Sequence, residues 1–182
     1  MNKFLSVVSI VATCFVLAGC STMTPSTYAV NADNNVALRK LAGVKVNVVS
    51  MTDVSKFSAN CRLMGPIEAS NKRSIAQFVQ DSFNDELKFA DVYGTNVALD
   101  GSLDHAEFSS ISGLTNGWWD LAATLKNPKT GASISAHNRY EFPSGFDAAT
   151  ACTQTAQALT PAVQGLIKNA VTNPEFATLV SK

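Results

Sequence analysis

The sequence predicts an α+β domain of two layers: a three- to five-stranded, mainly antiparallel sheet with two main helices packed on one face. Three observations carry this. Several short segments alternate apolar and polar residues with period two. Two longer segments repeat apolar residues every three or four positions. The order is β-α-β-β-β-α, and each element has one apolar face to bury, which a sheet covered by both helices on one side satisfies.

The first strand is Val44–Val49, where Val44, Val46 and Val48 alternate with Lys45 and Asn47. A long connection from Ser50 to Arg73 follows, with a short strand expected near Arg62–Ile67. Over 74–92, Ile75, Phe78, Val79, Phe83, Leu87 and Ala90 form a helical stripe, with Ser74 or Asn71 as cap. A second strand points Val97, Leu99 and Leu103 inward and Asp100, Ser102 and Asp104 outward.

The stretch Phe108–Gly117 reads as a loop with protruding Ile111 and Leu114. The third strand points Trp119, Leu121, Ala123 and Leu125 inward and Trp118, Asp120, Thr124 and Lys126 outward. After the turn Asn127–Gly131, the last strand places Ile134, Ala136, Tyr140 and Phe142 on the core side. The final helix carries Cys152, Ala156, Leu159, Val163, Leu166, Ile167 and Ala170 on one stripe. That stripe keeps its phase through Pro161, so one kinked helix is expected. Asn173-Pro174-Glu175 then opens a short terminal helix with Phe176 and Leu179.

The chain begins with Lys3 and an apolar run from Phe4 to Leu17, the make-up of a secretory signal and too short to span a bilayer. It closes on Leu17-Ala18-Gly19-Cys20, which resembles the lipobox of bacterial lipoproteins. The resemblance implies a signal peptide over residues 1–19, diacylation of the Cys20 thiol and acylation of its new amino terminus. An ordinary signal that happens to end in cysteine is the alternative. Ser21, where inner-membrane retention usually needs Asp, resembles the outer-membrane sorting signal. The expected location is therefore the periplasmic side of the outer membrane, with surface exposure left open. Residues 20–35, rich in Ser, Thr, Asn and Ala, read as a flexible tether, and 36–182 as a single domain.

Loss of Lys3 leaves 13 basic against 14 acidic residues, so the mature chain has no basic footprint for nucleic acid. Its membrane attachment must come from the acyl chains on Cys20. With Cys14 in the signal and Cys20 lipidated, Cys61 and Cys152 remain, and an oxidising periplasm favours one disulfide between them. Two buried free thiols are the alternative, because Cys152 lies on the apolar stripe of its helix.

Catalytic chemistry has thin support. His105 stands beside Glu107, and His137 on the polar face of the last strand, with no nucleophile elbow or HExxH motif. A periplasmic hydrolase using His105, Glu107 and His137 is thus an alternative to a binding protein, as is a carrier of a small apolar ligand. Asp100, Asp104 and Asp120 share the polar face. Calcium takes six or more oxygens from a turning loop, so solvated carboxylates are expected there and no metal or cofactor. Trp118 is the candidate contact anchor, together with Ile111 and Leu114; its alternative role is to lie over Lys126 or Arg139.

By element order, residues 44–170 resemble the small α+β modules of periplasmic proteins such as the TolB amino-terminal domain, the curli secretion lipoprotein and LpoB. Four segments are similar to a group of proteobacterial outer-membrane lipoproteins. These are Cys61-Arg62 with Gly65-Pro66-Ile67; Phe78 through Glu86-Leu87; Leu99 with Gly101-Ser102-Leu103; and Ala151-Cys152 with Pro161-Ala162-Val163-Gln164. This resemblance implies fold and location and carries no functional residue.

Overall fold

The alternating segments pair into one sheet in the order β1-β2-β3-β4, with β1 Val46–Asp53, β2 Val97–Ser112, β3 Asn116–Lys126 and β4 Ser133–Pro143. The helices are α1 Ala32–Arg39, α2 Ile75–Phe89, α3 Ala148–Val171 and α4 Phe176–Leu179. These come from a computed structural model that describes residues 23, 25, 27–41, 43–113 and 115–181. β1 runs parallel to β2, with Val46 opposite Val97, while β2–β3 and β3–β4 are antiparallel. The parallel pair requires a crossover, and α2 lies within it. The result is the expected two-layer α+β fold with a mixed sheet.

Ser74 starts α2 through a capping box: its hydroxyl accepts from Gln77 N, and Gln77 Oε1 accepts from Ser74 N, each at 3.1 Å. The apolar stripe of α2 buries Phe78, Val79, Phe83 and Leu87. Asp147 caps α3 by accepting from Thr150 N at 2.9 Å, and α3 continues through Pro161 as one helix. Its buried stripe meets Trp119, whose indole N–H donates to Thr155 O at 2.8 Å. Near Gly165, α3 comes so close to β4 that a Cβ would lie 2.5 Å from Asn138 Nδ2.

Three boundaries differ from the sequence reading, the first being β1, expected over Val44–Val49 and found over Val46–Asp53. The loop expected over 108–117 is mostly strand, because β2 continues to Ser112 and β3 starts at Asn116. A bulge between Leu103 and His105 shifts the alternation, so Ala106 and Phe108 turn towards the core and Phe108 packs 4.9 Å from Trp119. In the long connection, Asn60 bridges Pro66 and Cys61 N donates to Gly65 O at 3.0 Å, making a small hairpin with Leu63 at its tip. Cys61 is disulfide-bonded to Cys152, with 5.9 Å between their Cα atoms.

Described residues within 23–35, a stretch whose composition reads as a flexible tether, pack on the domain. Asn31 caps α1, and Met23, Pro25, Asn34 and Leu38 are buried. The cause lies on α2, where Glu86 is fully buried and its carboxylate needs donors. Tyr28 Oη, Asn31 N and Asn34 Nδ2 all donate to Glu86 Oε1, at 2.7, 2.8 and 3.1 Å. Burial, then the bond to Glu86, raises the Tyr28 phenol far above its ordinary pKa. Gln164 and Lys168 on α3 complete the clamp through Ala29 O and Asp33. Cys20 and the 1–19 signal lie outside the described residues. No described helix is long and apolar enough to cross a membrane.

Candidate binding face

Helices cover one face of the sheet; the other presents side chains in cross-strand rows. Across β2, β3 and β4 these rows read Ser109–Trp118–Glu141, Glu107–Asp120–Arg139, His105–Ala122–His137 and Ser102–Thr124–Ser135. Direct neighbours in a row have Cβ atoms about 5 Å apart, close enough to interact.

Asp120 is the centre of this surface. Its Oδ1 lies 2.6 Å from His137 Nε2, and its Oδ2 accepts from Arg139 Nη1 at 3.1 Å. Partial burial pushes the Asp120 carboxyl up, but the bonds from His137 and Arg139 outweigh it and hold it below the usual carboxylate range. Arg139 also places its guanidinium 4.1 Å over the Trp118 ring and its Nε 4.0 Å from Glu141. Trp118 is therefore half-buried beneath Arg139, one of the two roles its position allowed, while Trp119 is fully buried.

His105 Nε2 stands 3.6 Å from Glu107 Oε2, too far for a hydrogen bond. Both line an open groove of about 430 Å³ with Lys56, Phe57 and Asn60. The groove follows the outer edge of β2 beyond Leu103, where β1 ends its pairing at Asp53. His105 and His137 share a row but are separated by Ala122, so the sheet does not bring them into one catalytic pair.

Nearby hydroxyls are engaged elsewhere. Thr124 Oγ1 donates to Asp104 Oδ2 at 2.7 Å and lies 2.8 Å from Ser135 Oγ, while Ser102 donates to Asp104 at 2.6 Å. Asp100 accepts from Ser50 at 2.8 Å. A nucleophile–base contact of the kind covalent hydrolysis needs is not among these bonds. The face offers an aromatic ring, a planar cation and carboxylates in one array.

Ile111 is half-exposed at the end of β2, and Leu114 lies outside the described residues. The Asp120–Arg139 pair was missed in the sequence, although its signal was there. The Asn127–Gly131 turn sets Lys126 opposite Ser133, and counting back from that pair puts Asp120 opposite Arg139.

No family model and no curated protein sequence matches this chain. Among solved structures it is similar to the PelC L103M dodecamer from Paraburkholderia phytofirmans, at 15% identity and a TM-score of 0.32. That match covers 76% of this chain and 93% of the other.

Proposed function

We propose that this chain is a lipid-anchored protein on the periplasmic side of the outer membrane. In this reading it is a non-enzymatic binding or assembly module that meets an envelope protein through the open sheet face. The single observation behind the binding role is the Trp118–Arg139–Asp120–His137 array, which stands on the face the helices leave uncovered. Trp and Arg are over-represented at binding hot spots, and side chains fixed on strands are pre-positioned for contact. The anchoring role is supported by Leu17-Ala18-Gly19-Cys20 at the end of the apolar leader.

Cross-linking in intact cells tests this. The protein is expected to recover an envelope component, and Trp118→Ala to lose it. Recovery of no partner, with no deletion phenotype under envelope stress, contradicts the reading.

A second reading, a periplasmic hydrolase, is favoured by one contact: Asp120 at 2.6 Å is placed to orient the His137 ring. Replacing His105 and His137 by Ala separates the two. Loss of the cellular phenotype with partner recovery intact favours hydrolysis, and full retention eliminates it. For the third reading, a carrier of an apolar ligand, the space between sheet and helices is already filled by Trp119, Phe78, Leu87, Leu121, Leu159 and Ile167.

A further inference from the structure

Three exposed apolar side chains stand at one end of the domain, two on connections and Ile111 at the end of β2. Leu63 is 101% exposed, Phe146 80% and Ile111 50%. Single exposed apolar residues are ordinary on soluble proteins. These three are held together. Arg62, next to Leu63, donates from Nε to Ser110 Oγ at 3.1 Å and from Nη2 to Ser110 O at 3.0 Å. Ser110 immediately precedes Ile111. The same guanidinium donates from Nη1 to Phe146 O at 3.2 Å. One side chain thus ties the Leu63 hairpin, the end of β2 and the Phe146 connection, and the Cys61–Cys152 disulfide fixes the base of the hairpin to α3.

The amino-terminal end of the described chain reaches this same end. Met23 bridges Ile67 in parallel and accepts from Glu68 N at 3.3 Å, and its sulfur lies 3.5 Å from Thr153 Oγ1, beside Cys152. Cys20 is three residues before Met23, a reach of at most about 10 Å. An acyl anchor so close in sequence to Met23 cannot hold the domain far from the membrane.

We infer that the end formed by Leu63, Ile111 and Phe146 seats on the phospholipid bilayer that holds Cys20. The inference rests on the lipid-anchor reading and goes beyond it, because it assigns Ile111 to lipid and not to a protein partner. The charges next to these residues in sequence are of both signs, Arg62 beside Leu63 and Asp147 beside Phe146. The contact is therefore apolar and insensitive to ionic strength. The opposite end, where α2 finishes at Phe89, points away from the bilayer: β2 runs from Val97 there to Ser112 here, about 50 Å at 3.3 Å per residue.

The test uses the full-length processed protein in phosphatidylethanolamine–phosphatidylglycerol vesicles with brominated acyl chains, comparing Leu63→Trp and Phe89→Trp with the parent. Leu63 is fully exposed, so its replacement leaves the fold intact. Side chains seated at an interface lie about 5–10 Å into the headgroup–acyl boundary, so the added Leu63→Trp fluorescence should fall by about half. That of Phe89→Trp should stay unchanged, and neither should respond to salt. The mass of the Cys20 terminal peptide, read on the same sample, reports the anchor separately. An unacylated peptide overturns the anchor and the inference together. An acylated protein whose Leu63→Trp signal is unquenched overturns the inference alone, also when scattering shows that a second copy covers the tip.

Discussion

Tyr28 donates its phenolic hydrogen to Glu86 Oε1 at 2.7 Å, across 58 residues of sequence. Glu86 collects Asn31 N and Asn34 Nδ2 at the same oxygen, so one buried carboxylate on α2 organises residues 28–34. A stretch whose composition is that of a linker becomes part of the domain because it carries the donors that this carboxylate needs.

Tyr28→Phe should cost about 1.5–3 kcal/mol, the range for a hydrogen bond to a charged group. Hydrogen exchange should show the α1 amides losing protection while those of β3 keep theirs. Unchanged α1 protection would mean that the segment is held by something other than Glu86.

Cys61 and Cys152 close a loop with a sequence separation of 91, for which the chain-entropy relation gives about 4.6 kcal/mol as an upper figure. Cys152→Ser should therefore lower the thermal midpoint far more than a surface substitution does, and thiol labelling of the oxidised parent should find neither cysteine free. An unchanged midpoint would remove the disulfide from the account of stability.

Trp118 and Trp119 differ by one step in a period-two strand. Trp119→Ala should cost about 3–5 kcal/mol as a core truncation. Trp118→Ala loses an exposed cation–π contact worth about 0.5–1 kcal/mol. Its effect should instead fall on partner affinity, by about 2 kcal/mol for a hot spot. Chemical denaturation distinguishes the two, and a reversed order would contradict the assignment of faces.

Three carboxyls are held below the usual range. Asp33 is lowered by the Lys168 ammonium, Asp147 by the Thr150 N–H that it caps, and Asp120 by His137 and Arg139 against the effect of burial. Unfolded, each titrates near about 3.9. Their stabilisation is complete above that pH and is lost as pH falls through the lower folded values. The midpoint should drop on acidification below about pH 4. Asp147→Asn, which keeps an oxygen acceptor for the cap, should make that drop shallower. Equal slopes for the parent and Asp147→Asn would contradict the role given to this charge.

What was legible in the sequence follows from periodicity and count. The stripe Phe78–Leu87, the alternation around Trp119 and the two cysteines left for pairing all reappear as a buried helix face, a core strand and a disulfide. Elements set by distant contacts were not legible. α1 is a short polar helix that local propensity cannot sustain, and it depends on Glu86 and on α3. β2 outran its expected end because the bulge at Leu103/His105 reset the alternation, which turned Phe108 from a loop residue into a neighbour of Trp119. In the candidate site, Trp118 was visible as an outward aromatic. Its Arg139–Asp120–His137 surroundings depended on the β3–β4 register.

Site-specific photo-cross-linking in living cells tests the central claim most directly. A photoreactive amino acid is placed at Glu107, Ser135 or Glu141 on the open face, and at Gln157 or Asn169 on α3 as controls. The account predicts a cross-link to an envelope protein from the open-face positions, abolished by Trp118→Ala, and none from the α3 positions. Cross-links from α3 alone, or open-face cross-links that survive Trp118→Ala, would contradict it.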